Sequence, residues 1–192
     1  MTEIDRPRIE AAVAEILAAI GEDPARPGLQ GTPSHVADAY AEFFSGLGRD
    51  AAEDLGEPVP LEEGRTAETV IVRDIEFRSV CEHHLLPFLG VAHVAYLPGE
   101  KVVGLGRIPR VIETLSARPQ IQERLTEQIA DTIESGAQAR GVLVVLDAVH
   151  ACVTTRGARQ TSSTTVTMAA RGAYTDPTVR AELIALIGRG TE

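Results

Sequence analysis

Apolar residues recur at helical spacing near the start of the chain. Ile9, Val13, Ile16, Leu17 and Ile20 mark one face of a helix over 7–20, and Gly21 supplies its stop. Thr32 and Pro33 predict an N-cap and first turn for a second helix, with Val36, Tyr40, Phe43 and Phe44 on its apolar side and Gly46 and Gly48 at its end. From Gly48 to Ala67 the periodicity stops; the text GRDAAEDLGEPVPLEEGRTA is acidic, rich in Gly and Pro, and reads as a mobile connector. Alternation then takes over. Val70 to Val80 is a predicted strand with Ile75, Phe77 and Ser79 on one face, and Gly90 to Leu97 with Lys101 to Leu105 predicts a hairpin across Pro98-Gly99. Ile108 to Ala117 and Ile121 to Ala139 read as helices, the second carrying Ile121, Leu125, Ile129 and Ile133. A long, nearly all-apolar strand follows over Val142 to Val153, then a strand over Ser163 to Ala170 and a closing helix from Asp176 to Ile187. There is no internal repeat and no low-complexity tract. The class is α+β, divided into an N-terminal helical region (1–47), a connector (48–67) and a main domain (68–192).

Composition narrows the partners. At 192 residues the chain fits one compact domain with a core of Val, Ile, Leu and Ala, since Trp is absent and only three Tyr and four Phe are present. Eighteen Lys and Arg against 28 Asp and Glu give a net charge of −10, which argues against a broad nucleic-acid surface. A polyanionic ligand would need a local cluster of arginines. No charged segment leads into an apolar signal core, and no apolar run reaches about 18 residues, so the expectation is a soluble, cytoplasmic protein without a membrane partner. Two cysteines, Cys81 and Cys152, are too few for a disulfide framework.

Cys81-Glu82-His83-His84 places three metal-capable side chains within four residues directly after a strand. Further on, the apolar strand ends in His150-Ala151-Cys152, and period-two geometry would put His150 and Cys152 on one face, about 7 Å apart. A Cys/His pair on a turn and a Cys on a separate strand suffice for a three-ligand zinc site, which leaves a fourth position open as catalytic sites do. The competing readings are simple packing of Cys152, a core role for His150 and a Cys81–Cys152 disulfide; the last would leave His83, His84 and His150 unexplained.

Arg107 and Arg110 flank the start of a helix after Gly104-Leu105-Gly106, where free N–H groups favour anions, and Arg156 follows the Cys152 segment. If these ends meet, three guanidiniums surround the metal site; taken singly, each arginine is as readily a solvated surface residue. Gln122-Glu123 opens the longest helix, where a carboxylate either complements the helix dipole or accepts two N–H bonds from a guanine edge.

These stretches resemble the GTP cyclohydrolase I family. The residues that carry the resemblance are Ser79-Val-Cys-Glu-His-His84, Gly99-Glu-Lys-Val-Val-Gly-Leu105, the run from Arg118 to Ala130, and His150-Ala-Cys152 with Arg156-Gly157, over about 28 to 190. The resemblance implies the tunnelling fold, an antiparallel sheet with packed helices assembled into a barrel-centred ring, two pentameric rings stacking into a homodecamer with active sites where subunits meet. It implies Cys81, His84 and Cys152 as zinc ligands, His83 as proton donor and acceptor, and His150 as a second proton relay. Glu123, with backbone near Ile121 and Gln122, would hold the guanine of GTP, and Arg107, Arg110 and Arg156 its triphosphate. The implied reaction opens the purine imidazole ring with water, releases formate and yields 7,8-dihydroneopterin triphosphate.

Four positions depart from the family pattern. Gly106-Arg107 stands where Ser-Lys is usual, and His35 and Asp38 stand where basic residues are usual. Exchanging attraction for repulsion at about 4 Å and an effective dielectric near 20 swings an interaction by several kcal/mol, less when exposed. Asp38 therefore raises a second expectation, a paralogue that opens the ring of a different or less phosphorylated purine. A non-catalytic module of the same fold and a nitrile reductase relative are further alternatives, although nothing here matches the latter's motif.

Overall fold

The computed structural model describes residues 4–62 and 68–188. Helix α1 (Arg6–Ala19) is capped by the Asp5 carboxylate, which accepts from Arg8 N at 3.1 Å, and α2 (Thr32–Phe43) begins one residue earlier than a Thr32 cap would place it. The two pack on each other, but α1 buries none of its residues, and Ile16 and Ile20 stay exposed.

Part of the segment expected as a mobile connector is ordered. Ala51–Leu55 is a 3₁₀ turn with the Asp50 carboxylate as its cap, and Ala51 and Leu55 are buried in the main core. Strand β1 (Val59–Pro60) pairs antiparallel with β4 (Lys101–Val102). This corrects the hairpin expected across Pro98-Gly99, because Lys101 returns to the connector and not to the preceding strand. The Leu97–Pro98 carbonyls instead accept from Arg140, from its backbone N at 2.8 Å and its Nε at 2.9 Å. Residues 63–67 of the expected connector lie outside the described residues.

The body is a five-stranded sheet in the order β5-β2-β3-β6-β7, formed by β2 (Val70–Cys81), β3 (Pro87–Leu97), β5 (Pro119–Gln120), β6 (Gly141–His150) and β7 (Thr165–Gly172). All pairs are antiparallel except β2 with β5, joined through Val80 and Cys81. Gly90 on β3 lets the backbones close up, since a Cβ there would lie 2.1 Å from the Asp147 carbonyl oxygen. Helices α3 (Arg107–Ser116) and α4 (Gln122–Ala137) cover one face, where Ile108, Ile112, Leu125, Ile129 and Ile133 meet Phe88, Val94, Val144 and Leu146. The closing helix α6 (Pro177–Gly188) covers part of the opposite face, with Leu183 and Ile187 against Ala95 and Leu143. The rest of that face leaves Leu89, Val149, Val166 and Met168 exposed. The architecture is α+β, as the pattern predicts.

β6 stops at His150, and Ala151–Thr154 forms a short helix, α5. Cys152 thus sits on a helical turn, which replaces the period-two argument linking it to His150. Ala151, Cys152 and Val153 prolong the apolar stretch, so side-chain pattern alone does not mark the change.

Candidate metal centre and active site

Cys81 ends β2 and is buried, and the chain turns sharply after it: Leu85 N donates to Cys81 O at 2.8 Å and Cys81 N to Leu86 O at 2.9 Å. Leu85 takes a left-handed φ of +51°, a costly conformation for a residue with a Cβ. This turn projects Glu82, His83 and His84. Its flank is held by α4 and β5: Glu82 N donates to Gln120 O at 3.0 Å, and Arg124 bonds the Glu82 carboxylate, Gln120 Oε1 and Pro119 O. The Arg124 hydrogen bond holds the Glu82 carboxyl below its ordinary value, against partial desolvation. Glu82 Oε1 in turn lies 3.9 Å from His83 Nε2, whose side chain is exposed.

The α5 turn brings Cys152 to the same place. Ligand atoms of Cys81, His84 and Cys152 all lie within 4.8 Å of one another, buried, exposed and half-buried in that order. Both thiols are free, so the disulfide alternative is not realised. Burial, reinforced by the neighbouring Cys81, pushes the Cys152 thiol up, with Arg156 acting in the opposite direction.

His150 is the last residue of β6 and lies face to face with Phe88, its register partner on β3, with ring centroids 4.6 Å apart and planes 7° from parallel. Burial pushes its pKa below the ordinary histidine value, opposed by the Glu123 carboxylate. Glu123 is exposed in the first turn of α4. Gln122, by contrast, turns its side chain inward; it is 1% exposed, and its Oε1 lies 2.6 Å from His150 Nε2. Its side chain is thus fully engaged within the protein. The inward bond of Gln122, the Phe88 stack and the Arg124–Glu82 brace have no signal in the sequence, since each joins residues distant along the chain.

Arg107 and Arg110 are exposed on α3, and Arg107 lies against Gly56, where a Cβ would be 3.0 Å from its Cζ. Among the described residues neither makes a hydrogen bond or ion pair with the Cys/His/Cys trio or with His150. A cavity of about 350 Å³ lies between α2, β2 and α3, near Phe43, Arg78 and Glu113, and the trio does not line it. Asp38 pairs with Arg6 at 3.2 Å on the surface of the α1–α2 pair.

Fold and site together define an α+β protein that gathers two thiols and an imidazole beside two further histidines. The profile of the family described as GTP cyclohydrolase I matches residues 9–188. The chain is 77% identical over 190 residues to GTP cyclohydrolase 1 of Leifsonia xyli subsp. xyli, covering 99% of each. It is 53% identical to that of Rhodopirellula baltica, over 97% of this chain and 81% of the relative, and 50% identical to that of Caldanaerobacter subterraneus subsp. tengcongensis, over 96% and 97%. The chain belongs to the GTP cyclohydrolase I family.

Proposed function

We propose that the protein is a zinc-dependent hydrolase that converts GTP and water to 7,8-dihydroneopterin triphosphate and formate by opening the imidazole ring of the purine. The convergence of Cys81, His84 and Cys152 within 4.8 Å, beside His83 and near His150, carries this reading. Two thiolates and one imidazole are a donor set suited to zinc, and three protein ligands leave an open position. When bound, zinc supplies Lewis-acid activation of water at neutral pH.

The chain's own groups supply the rest. His83, exposed on the turn, is free to give a proton to the purine ring and take one back. His150, whose pKa burial pushes down against the Glu123 carboxylate, serves the later proton transfers. The Glu123 carboxylate accepts N–H bonds from the guanine edge, and Arg156, beside Cys152, meets the triphosphate.

Arg107 and Arg110 are exposed on α3, where they are open to the triphosphate of a substrate held at a subunit boundary. The open edge of β7 and the exposed Ile16, Ile20, Val166 and Met168 agree with a homo-oligomer. We read that oligomer as the tunnelling-fold ring, stacked as two pentamers. Two free thiols agree with a cytoplasmic location, and no described helix is long and apolar enough to cross a membrane.

The Arg6 pairing bears on the alternative substrate. With its charge balanced at 3.2 Å, Asp38 does not confront a triphosphate as an unpaired carboxylate, which favours GTP over a less phosphorylated purine. The test is incubation of zinc-loaded protein with GTP carrying ¹³C at C8. Labelled formate supports the proposal; label recovered wholly in intact nucleotide contradicts it.

A further inference from the structure

Three side chains behind His150 form a hydrogen-bond network whose directions can be worked out one proton at a time. Thr126 Oγ1 donates to Gln122 O at 2.7 Å, which uses its only hydrogen. Thr167 Oγ1, 2.6 Å from Thr126 Oγ1, is therefore the donor in that pair. With its own hydrogen spent, Thr167 can only accept from Gln122 Nε2, at 3.1 Å. The same nitrogen faces two carbonyl acceptors, Leu146 O at 3.1 Å and Thr165 O at 2.8 Å. Three acceptors fix the NH₂ end of the amide on the inner side, so the end 2.6 Å from His150 Nε2 is the carbonyl oxygen, which can only accept.

We infer that Gln122 is a positioning residue whose carbonyl accepts from His150 Nε2–H and so fixes Nδ1 as the ring nitrogen that faces away from the core. Phe88 fixes the plane of the ring by stacking, and the Gln122 carbonyl fixes which nitrogen points inward. Nδ1 has no protein partner among the described residues. Nε2–H is thus committed inward to Gln122, and Nδ1 is the ring nitrogen left to the site. The consequence for turnover rests on the proposed reaction, whereas the tautomer itself does not. Partners that orient metal-ligating histidines are typically worth 10–100-fold in metal affinity or activity, and an effect on that scale is expected for a partner that orients a histidine acting next to the metal.

The experiment is ¹⁵N magic-angle-spinning NMR of the zinc-loaded, ¹⁵N-histidine-labelled protein at a pH where His150 is neutral, with His150→Asn used to assign its signals. Wild type should show a protonated Nε2 and an unprotonated Nδ1. Gln122→Leu should mix or reverse the two while retaining stoichiometric zinc, with kcat down 10- to 100-fold and KM for GTP little changed. Gln122→Glu, whose protonated carboxyl can donate inward and accept from His150, should restore the Nε2–H tautomer and most of kcat. An unprotonated Nε2 in the wild type overturns the inference whether or not the variants fold, and so does an unchanged tautomer in Gln122→Leu. A protein that shows the Nε2–H tautomer but no formate release would sustain the inference about Gln122 and refute the reaction.

Discussion

Phe88 and His150 face each other across neighbouring strands with their rings 4.6 Å apart and within 7° of parallel, so one of the most deeply buried side chains of the core forms the floor under a proposed proton relay. Core packing and site geometry are therefore coupled at this pair. Phe88→Leu keeps an apolar side chain but removes the flat surface. It should destabilise the fold by about 1–2 kcal/mol, less than the 3–5 kcal/mol typical of truncation to Ala. The melting temperature should fall by several degrees and kcat should drop with zinc content intact. Unchanged kcat would show that the stack does not orient His150.

The ligand and proton roles separate cleanly in two variants. Cys152 is half-buried on the α5 turn, so Cys152→Ser should fold, melt close to wild type and lose stoichiometric zinc by elemental analysis. His83 belongs to the same cluster but is not one of the converging trio, and His83→Ala should retain zinc and lose at least 100-fold in turnover. Full zinc in the first variant, or full activity in the second, would contradict the assignment.

Glu123 is exposed at the start of α4 and acts on His150 from outside the core. Glu123→Ala should weaken binding of guanosine nucleotides by tenfold or more and leave binding of inorganic triphosphate within a factor of two, as read by calorimetry. Equal losses for both ligands would mean that the carboxylate sets the local field and does not hold the base.

Gly46 joins the helical N-terminus to the body. Its N donates to Ala117 O at 3.0 Å, its carbonyl accepts from Arg118 Nε at 2.9 Å, and a Cβ there would fall 2.0 Å from Thr114 O. The backbone has no room to yield, so Gly46→Ala should cost about 1–3 kcal/mol and loosen the Arg118 clamp on Arg49 O. Thermal melts with limited proteolysis of residues 4–50 give the readout. A wild-type melt and cleavage pattern would show that α2 is held by other contacts.

Much of the fold is written in local pattern. Apolar spacing predicts α1 to α4, α6 and the long strands; α3, α4 and the strands bury one face in the main core, α6 packs on the opposite face of the sheet, and α1 keeps its apolar residues outside both. The misses share a cause. Lys101–Val102 pairs with Val59–Pro60, a partner about forty residues away, and nothing near Pro98 encodes that choice. Cys152 leaves the strand for a helical turn although Val153 prolongs the apolar run. At the site, residue types point to the metal trio because two cysteines and paired histidines are rare in this chain. The inward turn of Gln122 is illegible, since its acceptors come from β6 and β7 and exist only once the sheet has formed.

The central claim is ring opening of a guanosine triphosphate by a zinc-loaded site. Formate release from GTP, measured beside GMP and guanosine with the same preparation, tests it most directly. The account predicts release from GTP at a rate well above the other two, in proportion to bound zinc. Release from GMP or guanosine but not from GTP, or silence from all three with zinc bound, would contradict it.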